Sequence, residues 1–191
     1  MFLLAVLVTV VIVGAQEPHP CESPKQFEGR QATFDHQRKS QIFARFAYDD
    51  IEKRFREIEI EQFGKQHAFY DTLYLHNVGL EYKLDLRTRK CNVTAITSPF
   101  RPFAIPPDAK FKGAVVYGAA GIPNQHVNLN RFEGEMGELQ FEMFHTSPNC
   151  IPVQVSFFKN STRVVKHRQF YDVSVGISDP EAFIPPKDCI K

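Results

Sequence analysis

The stretch FYDTLYLHNVGLEYKLDL, residues 69–86, decides the fold class of this 191-residue chain. Residues 69–76 are rich in the aromatic and aliphatic side chains that favour strands, and Asn77-Val78-Gly79 has the composition of a turn. After the turn, apolar residues alternate with charged ones: Leu80, Tyr82, Leu84 and Leu86 against Glu81, Lys83 and Asp85. Two such runs on either side of a short glycine-containing turn predict a β-hairpin.

Similar alternation on both sides of this hairpin predicts further strands. Residues 41–48 place four apolar side chains on one face: Ile42, Ala44, Phe46 and Tyr48. Residues 139–143 and 153–157 alternate in the same way. Residues 164–177 end with one apolar face: Tyr171, Val173, Val175 and Ile177. A polar turn at Asn160 joins the last two runs into a second hairpin, so the chain is predicted to be mainly β.

Three segments are less regular. Asp49 to Phe63 has apolar residues at i, i+4 and i+7, and this periodicity predicts an amphipathic helix, with a long strand as the competing interpretation. Pro99 to Pro107 contains four prolines in nine residues and predicts an extended connection, on the surface or across one end of a sheet. The glycine- and alanine-rich Gly113 to Gly121 predicts a loop or a bulged strand.

The first fifteen residues, MFLLAVLVTVVIVGA, have the character of a secretory leader. They are apolar and uncharged, and they are too short for the roughly 20 apolar residues that a membrane span needs. The small residue Ala15, with Val13 two positions before it, predicts cleavage after Ala15, although the leader lacks the usual Lys or Arg. Residues 1–15 are therefore predicted to be a signal peptide and residues 16–191 a single domain.

Four cysteines follow the leader, at Cys21, Cys91, Cys150 and Cys189. No two have the short spacing of a zinc site or a redox motif, and in an exported chain an even number predicts two disulfide bonds. Three pairings are open at this point.

Two sequons predict N-glycosylation, Asn92-Val93-Thr94 and Asn160-Ser161-Thr162. Together with the leader they predict a secreted glycoprotein.

Composition limits the function. The formal net charge is +1, which argues against a nucleic-acid partner, and no second apolar run reaches the length of a membrane span. The motifs of the nucleotide-binding, serine-hydrolase and zinc-protease classes are missing, and the seven histidines are scattered. We therefore predict a protein that is not an enzyme and has no required cofactor.

Eighteen Phe and no Trp indicate either a Phe-rich core or a Phe-lined ligand cavity. A calcium site built from scattered oxygens stays open, although the acidic candidates Asp49, Asp50 and Asp179 are also typical turn residues.

Both ends of the mature chain resemble the ependymin-related proteins. The opening Cys21-Glu-Ser-Pro-Lys-Gln-Phe-Glu-Gly-Arg30 is similar to the start of that family, and the end runs from Phe170-Tyr-Asp-Val173 through Gly176-Ile-Ser-Asp-Pro-Glu-Ala-Phe183 to Cys189. Lys90-Cys91, the proline-rich segment and Cys150-Ile-Pro-Val153 fall between them in family order. The resemblance covers essentially the whole mature chain.

This resemblance implies a curved antiparallel sheet, a half-open β-barrel resembling bacterial lipoprotein carriers, with a deep hydrophobic pocket. It implies the disulfide pairs Cys21–Cys150 and Cys91–Cys189, and it implies that Asp49 to Phe63 is largely strand. Two further cysteines of vertebrate relatives are absent together. The family also implies a secreted or lysosomal destination, association with calcium, and a homodimer, without assigning metal ligands or a dimer face to residues here.

The leading hypothesis is a secreted carrier or binder of a lipid or similar hydrophobic molecule. Burial of an acyl chain against inward-facing rings at ~25 cal/mol per Å² would supply the binding free energy. The hydrophobic pocket candidates are Phe46, Tyr48, Tyr74, Tyr82, Phe141, Phe157 and Tyr171. The alternative is a calcium-dependent adhesion glycoprotein of the extracellular matrix, which needs no open cavity. A hydrolase on the same scaffold has no supporting motif.

Overall fold

The computed structural model of the protein describes residues 17–159 and 163–190. The predicted signal peptide and the Asn160 sequon lie outside the described residues. Eleven strands make up most of the described chain: β1 Gln26–Asp35, β2 Ser40–Asp49, β3 Arg54–Phe63, β4 Gln66–Leu75, β5 Leu80–Asp85, β6 Cys91–Ala95, β7 Lys110–Gly118, β8 His126–Met136, β9 Leu139–Thr146, β10 Pro152–Lys159 and β11 Arg163–Val175. A short 3-10 helix, Lys187–Cys189, follows near the end. None of the described residues forms a helix of the length and apolarity that would cross a membrane.

All eleven strands belong to one antiparallel sheet, in the order β6-β5-β4-β3-β2-β1-β11-β10-β9-β8-β7. Strands that follow one another along the chain are neighbours in the sheet, apart from β6 and β7, and β1 pairs with β11 at the centre. The edge strands β6 and β7 do not pair with each other, so the curved sheet is a half-open barrel. The predicted mainly-β, antiparallel, half-open fold is confirmed.

The hairpin predicted from residues 69–86 is formed by β4 and β5. Leu75 pairs with Leu80, and Gly79 has φ 74°, a left-handed conformation that glycine adopts at little cost. Across β1–β5 the side chains alternate between an inner face, which carries Phe46 and Tyr48, and an outer face.

The helix predicted for Asp49 to Phe63 is wrong, and the strand implied by the family resemblance is correct. Asp49 accepts hydrogen bonds from the backbone N–H groups of Ile51 and Glu52, which stabilises a turn, and β3 begins at Arg54. β3 is paired along its whole length with β2 and β4. Backbone pairing on both edges therefore outweighs the helical spacing of the apolar residues.

The proline-rich segment, residues 99–107, crosses the inner face of the sheet rather than running over the surface. Its backbone is held by the N-terminal segment, because Ser23 N–H donates to Phe103 O and Ile105 N–H donates to Cys21 O, each at 3.0 Å. An isolated β-bridge joins Glu22 to Ala104. The glycine-rich segment after it begins in β7, whose pairing with β8 is interrupted by a bulge at residues 111–113. Residues 113–118 are therefore part of a bulged strand, and residues 119–121 belong to the loop that follows it.

Two disulfide bonds anchor different ends of the sheet. Cys21 is bonded to Cys150, beside the start of β10, and Cys91 on the edge strand β6 is bonded to Cys189 in the C-terminal tail. These are the pairs that the resemblance implies. The tail lies on the outer face, where Phe183 is buried and the Arg54 guanidinium lies 4.5 Å from the centre of its ring.

Candidate functional site

Aromatic rings fill the centre of the inner face. Phe27, Phe46, Tyr48 and Phe170, from β1, β2 and β11, form one buried cluster. Phe103 of the proline-rich segment inserts into it, with its ring centre 4.8 Å from that of Tyr48 and 5.4 Å from that of Phe27. The Tyr48 hydroxyl accepts a hydrogen bond from the Phe103 N–H at 3.1 Å, and burial raises the pKa of Tyr48 to about 12. The middle of the barrel is therefore packed with side chains.

Beside this cluster lies a cavity of about 320 Å³. Its roof is the proline-rich segment from Arg101 to Ala104, and its walls come from β8, β9, β10 and β11. The apolar side chains along the walls are Met136, Met143, Val155, Phe157 and Phe170. A volume at the lower end of the ~300–1,000 Å³ of small-molecule sites, with mostly apolar walls and a few polar groups, is the usual form of a ligand pocket.

The polar groups of this cavity are positively charged or neutral. Arg101, Lys166 and Arg168 line it, and no Asp or Glu among the described residues does. The pKa of Lys166 is lowered first by burial and then by the neighbouring charge of Arg168. His145 also lines the cavity, and burial lowers its pKa to about 4, so its ring is neutral at ordinary pH. The buried His145 Nδ1 has no hydrogen-bond partner in the part of the chain that the structure describes.

The other half of the inner face is polar. The inward positions of β3 after Phe55 are Glu57, Glu59 and Glu61, and Lys83 of β5 lies near them, with its Nζ 3.8 Å from a Glu59 oxygen. Burial raises the pKa of Glu57, and burial together with the charge of Glu57 raises the pKa of Glu59 to about 7. The Gln31 side chain donates to Glu57 at 2.9 Å. This wall offers hydrogen bonds and charge rather than apolar area.

A larger groove of about 800 Å³ lies along β7, β8 and β9. Its walls carry charges of both signs, and some of these form ion pairs: Arg131 contacts both Glu133 and Glu142, and Lys112 lies 3.8 Å from Glu133. Because the groove is lined mainly by charged and polar side chains, whereas the smaller cavity has mostly apolar walls, we take the smaller cavity as the candidate site.

The structure separates the seven predicted pocket residues. Phe157 lines the cavity, while Phe46 and Tyr48 belong to the aromatic cluster beside it. Phe141 is buried in the core under β8 and β9, and Tyr74 lies on the polar wall next to Phe55.

Tyr82 and Tyr171 are corrections, because both lie on the outer face. Tyr82 packs against Leu73 and the C-terminal tail, since β5 turns its charged residues inward and its apolar residues outward. Tyr171 is 44% exposed. The pairing of β1 with β11 shifts register between Glu28 and Arg30, so Tyr171 faces outward although Val173 packs against the inner aromatic cluster.

The acidic calcium candidates have other partners. Asp49 forms an ion pair with Arg54, Asp50 forms ion pairs with Lys25 and Lys53, and Asp179 accepts a hydrogen bond from the Glu181 N–H. Within residues 17–159 and 163–190, no group of three or more His, Cys, Asp or Glu side chains is arranged to hold a metal ion. Asn92 of the predicted sequon is exposed on the edge strand β6.

Sequence reasoning missed the residues that define the cavity most directly. Phe103 and Arg101 come from the proline-rich segment, whose path across the sheet is a tertiary property. Lys166 and Arg168 occupy alternate positions of a strand whose inward residues otherwise include Phe170 and Val173. The sequence did contain one signal for this site: Lys166 and Arg168 are charged residues on a strand face that is otherwise apolar.

Fold and cavity together define a class: half-open antiparallel barrels with an internal apolar cavity. The ependymin family model matches residues 64–189. The chain is 27% identical over 176 residues to mammalian ependymin-related protein 1 of Rattus norvegicus, covering 90% of this chain and 77% of the relative. It is 25% identical over 172 residues to ependymin of Notemigonus crysoleucas, covering 89% and 79%. This chain belongs to the ependymin family.

A solved structure shares the fold. It is that of an uncharacterized conserved protein from Thermus thermophilus, with a TM-score of 0.58 and 12% sequence identity, covering 87% of this chain and 88% of that one. At that identity the likeness concerns the fold.

Proposed function

We propose that the protein is a secreted glycoprotein that carries or binds a lipid or similar hydrophobic molecule in the apolar cavity between the proline-rich segment and β8–β11. The observation that carries the proposal is a cavity of about 320 Å³ whose walls are mainly apolar side chains. Removing apolar ligand area from water contributes ~25 cal/mol per Å², so 200 Å² would contribute about 5 kcal/mol before ordering costs. The role is binding without catalysis.

The remaining parts of the proposal come from the sequence and from family membership. Export requires the segment 1–15, and residues 16–191 then act as one domain that carries glycans at Asn92 and Asn160. The destination is outside the cell, with lysosomal delivery as the second route. Association with calcium and formation of a homodimer belong to the same proposal.

A neutral apolar dye tests the binding role. Delipidated, oxidised and glycosylated protein is titrated with N-phenyl-1-naphthylamine, whose emission rises in apolar surroundings, and the chain has no Trp to interfere. We expect saturable binding at micromolar dye. Phe157→Asn replaces an apolar ring of the cavity wall by a polar amide and should weaken dye binding at least tenfold, because the amide loses hydrogen bonds to water when the dye covers it.

Tyr171→Asn is the matched control, since it makes the same change on the outer face of the adjacent strand. It should leave dye affinity unchanged. Absence of saturable binding to the wild-type protein, or equal loss in both variants, would count against the carrier. Calcium-dependent self-association without dye binding would instead favour the matrix adhesion alternative.

A further inference from the structure

The two edges of the sheet differ in how they are protected from pairing with another strand. β6, at one edge, has five residues, is bonded through Cys91 to the C-terminal tail, and carries the predicted sequon at Asn92. β7, at the other edge, has nine residues and pairs with β8 alone among the described residues. A short, tethered edge strand offers little to a partner, whereas a long one presents a row of unpaired backbone N–H and C=O groups.

The sequence of β7 does not protect its edge. Residues 113–121, GAVVYGAAG, contain no charged residue and no proline, which are the residues that usually keep an edge strand from pairing. Val115, Val116 and Tyr117 are all exposed. Because successive residues of a strand point to opposite faces, this end of the sheet exposes apolar side chains on both faces.

The neighbouring strand enlarges this apolar surface. Val115 and Tyr117 lie on the same face as their cross-strand partners on β8, Leu129 and Val127, and Val127 is exposed as well. Among the described residues that line the cavity, none belongs to β7, so this surface is separate from the candidate site. An unpaired edge bordered by apolar side chains is the form of surface to which a further strand is added.

β7 is complementary to a second copy of itself in the antiparallel orientation. A two-fold axis beside Val116 would place Val115 opposite the partner's Tyr117, and such pairs of aromatic and β-branched side chains stabilise sheets. The lysines of β7, Lys110 and Lys112, lie together at its start. Antiparallel pairing puts them at opposite ends of the contact, whereas parallel pairing would place them beside the lysines of the other chain.

We infer that the protein assembles with a second copy of itself by antiparallel pairing of the two β7 strands, which joins two half-open barrels into one continuous sheet. The inference rests on the homodimer of the proposed function, whose interface it names, and it is independent of what the cavity binds. Assembly stops at two chains, because the pairing uses the free edge of each β7 and β6 is the protected edge.

A charge at the centre of the contact tests the inference. Glycosylated wild-type protein should sediment at the mass of two chains at micromolar concentration. Val116→Lys should raise the dissociation constant at least tenfold, because the change occurs in both chains and sets two lysines opposite each other. Val93→Lys is the matched control, since Val93 is an exposed valine on the other edge strand, and it should leave the dissociation constant unchanged.

Mixing variants of opposite charge locates the contact. Val116→Glu should dissociate as Val116→Lys does, and an equimolar mixture of the two should associate at least tenfold more tightly than either alone, because Lys then faces Glu. Mixing would not rescue a variant that had failed to fold. Both variants should keep the wild-type dye affinity, since β7 does not contribute to the described lining of the cavity. Tyr117→Lys, at a more exposed position, replaces Val116→Lys if thermal unfolding shows that Val116→Lys is destabilised.

Failure of the inference and failure of the proposed function give different results. The β7 interface is overturned if the wild-type protein is monomeric from about 1 to 100 µM, if Val116→Lys and Val93→Lys dissociate to the same extent, or if mixing opposite charges restores nothing. Dye titration of the wild-type protein judges the carrier in each of these cases. If the dye does not bind but the mixture restores association, the carrier is overturned and the β7 interface stands.

Discussion

The two walls of the inner face are built by the same sheet and differ in what they offer a ligand. The wall formed by β8–β11 presents Met143, Val155 and Phe157 beside the cavity. The wall formed by β3–β5 presents Glu57 and Glu59, with Lys83 opposite. Strand alternation produces both surfaces, so the difference lies in which residues occupy the inward positions. Concavity alone therefore does not make an apolar site in this fold.

The polar wall has an unusual consequence for the outer face of β3. Because its carboxylates point inward, Ile58 and Ile60 point outward and are 46% and 43% exposed. On β10 the apolar residues point inward instead. The apolar half of the barrel resembles a conventional hydrophobic core that contains a cavity. In the polar half the usual arrangement is reversed, because charged side chains point inward and apolar side chains point outward.

The two disulfide bonds give the largest expected difference between the halves. Removing Cys21–Cys150 by the double change to Ser should lower the free energy of unfolding by about 5 kcal/mol, the chain-entropy scale for a loop of this length. It should also weaken dye binding, because Cys21 O holds Ile105 N–H in the segment that roofs the cavity. Urea unfolding and dye titration measure the two effects.

Removing Cys91–Cys189 is the matched comparison. Its two cysteines are 98 positions apart and its loss should cost a similar free energy of unfolding, yet dye affinity should be retained because the bond joins β6 to the tail on the polar half. Equal loss of dye affinity in both double variants would show that the cavity does not depend specifically on the Cys21–Cys150 bond.

Phe103 separates the two walls, and its removal should be the next largest effect. Phe103→Ala deletes a ring that contacts Phe27, Phe46, Tyr48, Phe55 and Phe170. We expect the free energy of unfolding to fall by about 3 kcal/mol, because the cavity left behind is lined by rigidly packed rings. Phe43→Ala on the outer face should cost below about 1 kcal/mol, since Phe43 is about half exposed. Chemical unfolding that ranks the two in the opposite order would refute the central role of Phe103.

Glu59 offers a test of the polar wall through pH. Its folded pKa of about 7 lies above its ordinary value of 4.5, so the folded state holds the proton more tightly. Its contribution to stability is complete below about pH 4.5 and is lost as pH rises through 7. Glu59→Gln should therefore raise the free energy of unfolding at pH 8 by on the order of 2 kcal/mol and change it little at pH 4.5.

Denaturant unfolding of wild type and variant at both pH values measures this difference. His145 acts in the opposite sense, because its lowered pKa makes its contribution full above about 6.5 and lost as pH falls through 4. That contribution is common to both proteins and cancels in the comparison. Glu52→Gln, in the exposed turn before β3, is the control and should show no pH-dependent gain. Equal shifts in the two variants would mean that the Glu59 carboxyl is not held in a desolvated wall.

The strands were predictable because alternation is local. The β4–β5 hairpin and the inner face of β2 follow from single segments, in which one period and one turn determine the structure. The outer position of Tyr171 was not predictable, because it depends on a register shift between β1 and β11, which come from opposite ends of the chain. The prediction that Tyr82 faces the pocket was wrong for a related reason: alternation shows which residues share a face of the sheet, but not which face is the inner one.

The cavity itself was the least predictable feature. Its roof comes from the proline-rich segment and its cations from β11, and only the sheet order brings these together. The prediction of a helix over Asp49 to Phe63 failed in the same way, because the pairing partners of β3 are not part of its own sequence pattern.

Gly134 gives the smallest expected effect and reports on packing of the apolar wall. Gly134 pairs with Phe141 across β8 and β9, and a Cβ added there would lie 2.5 Å from the Phe141 ring. Phe141 is buried and packs with Phe132, Met143 and Ile105, so its ring must shift away from these contacts to admit the new methyl group. Gly134→Ala should therefore cost about 1 kcal/mol, the overpacking penalty less the gain in strand propensity.

A double-mutant cycle separates the overpacking penalty from the gain in strand propensity. Phe141→Leu removes part of the ring that meets the new methyl group, so Gly134→Ala should cost less in that background than in the wild type, and the two changes should not be additive. Strict additivity in urea unfolding would mean that the ring adjusts freely. The wall beside the cavity would then be plastic, and its volume would be set by the ligand rather than by the packing of β8 and β9.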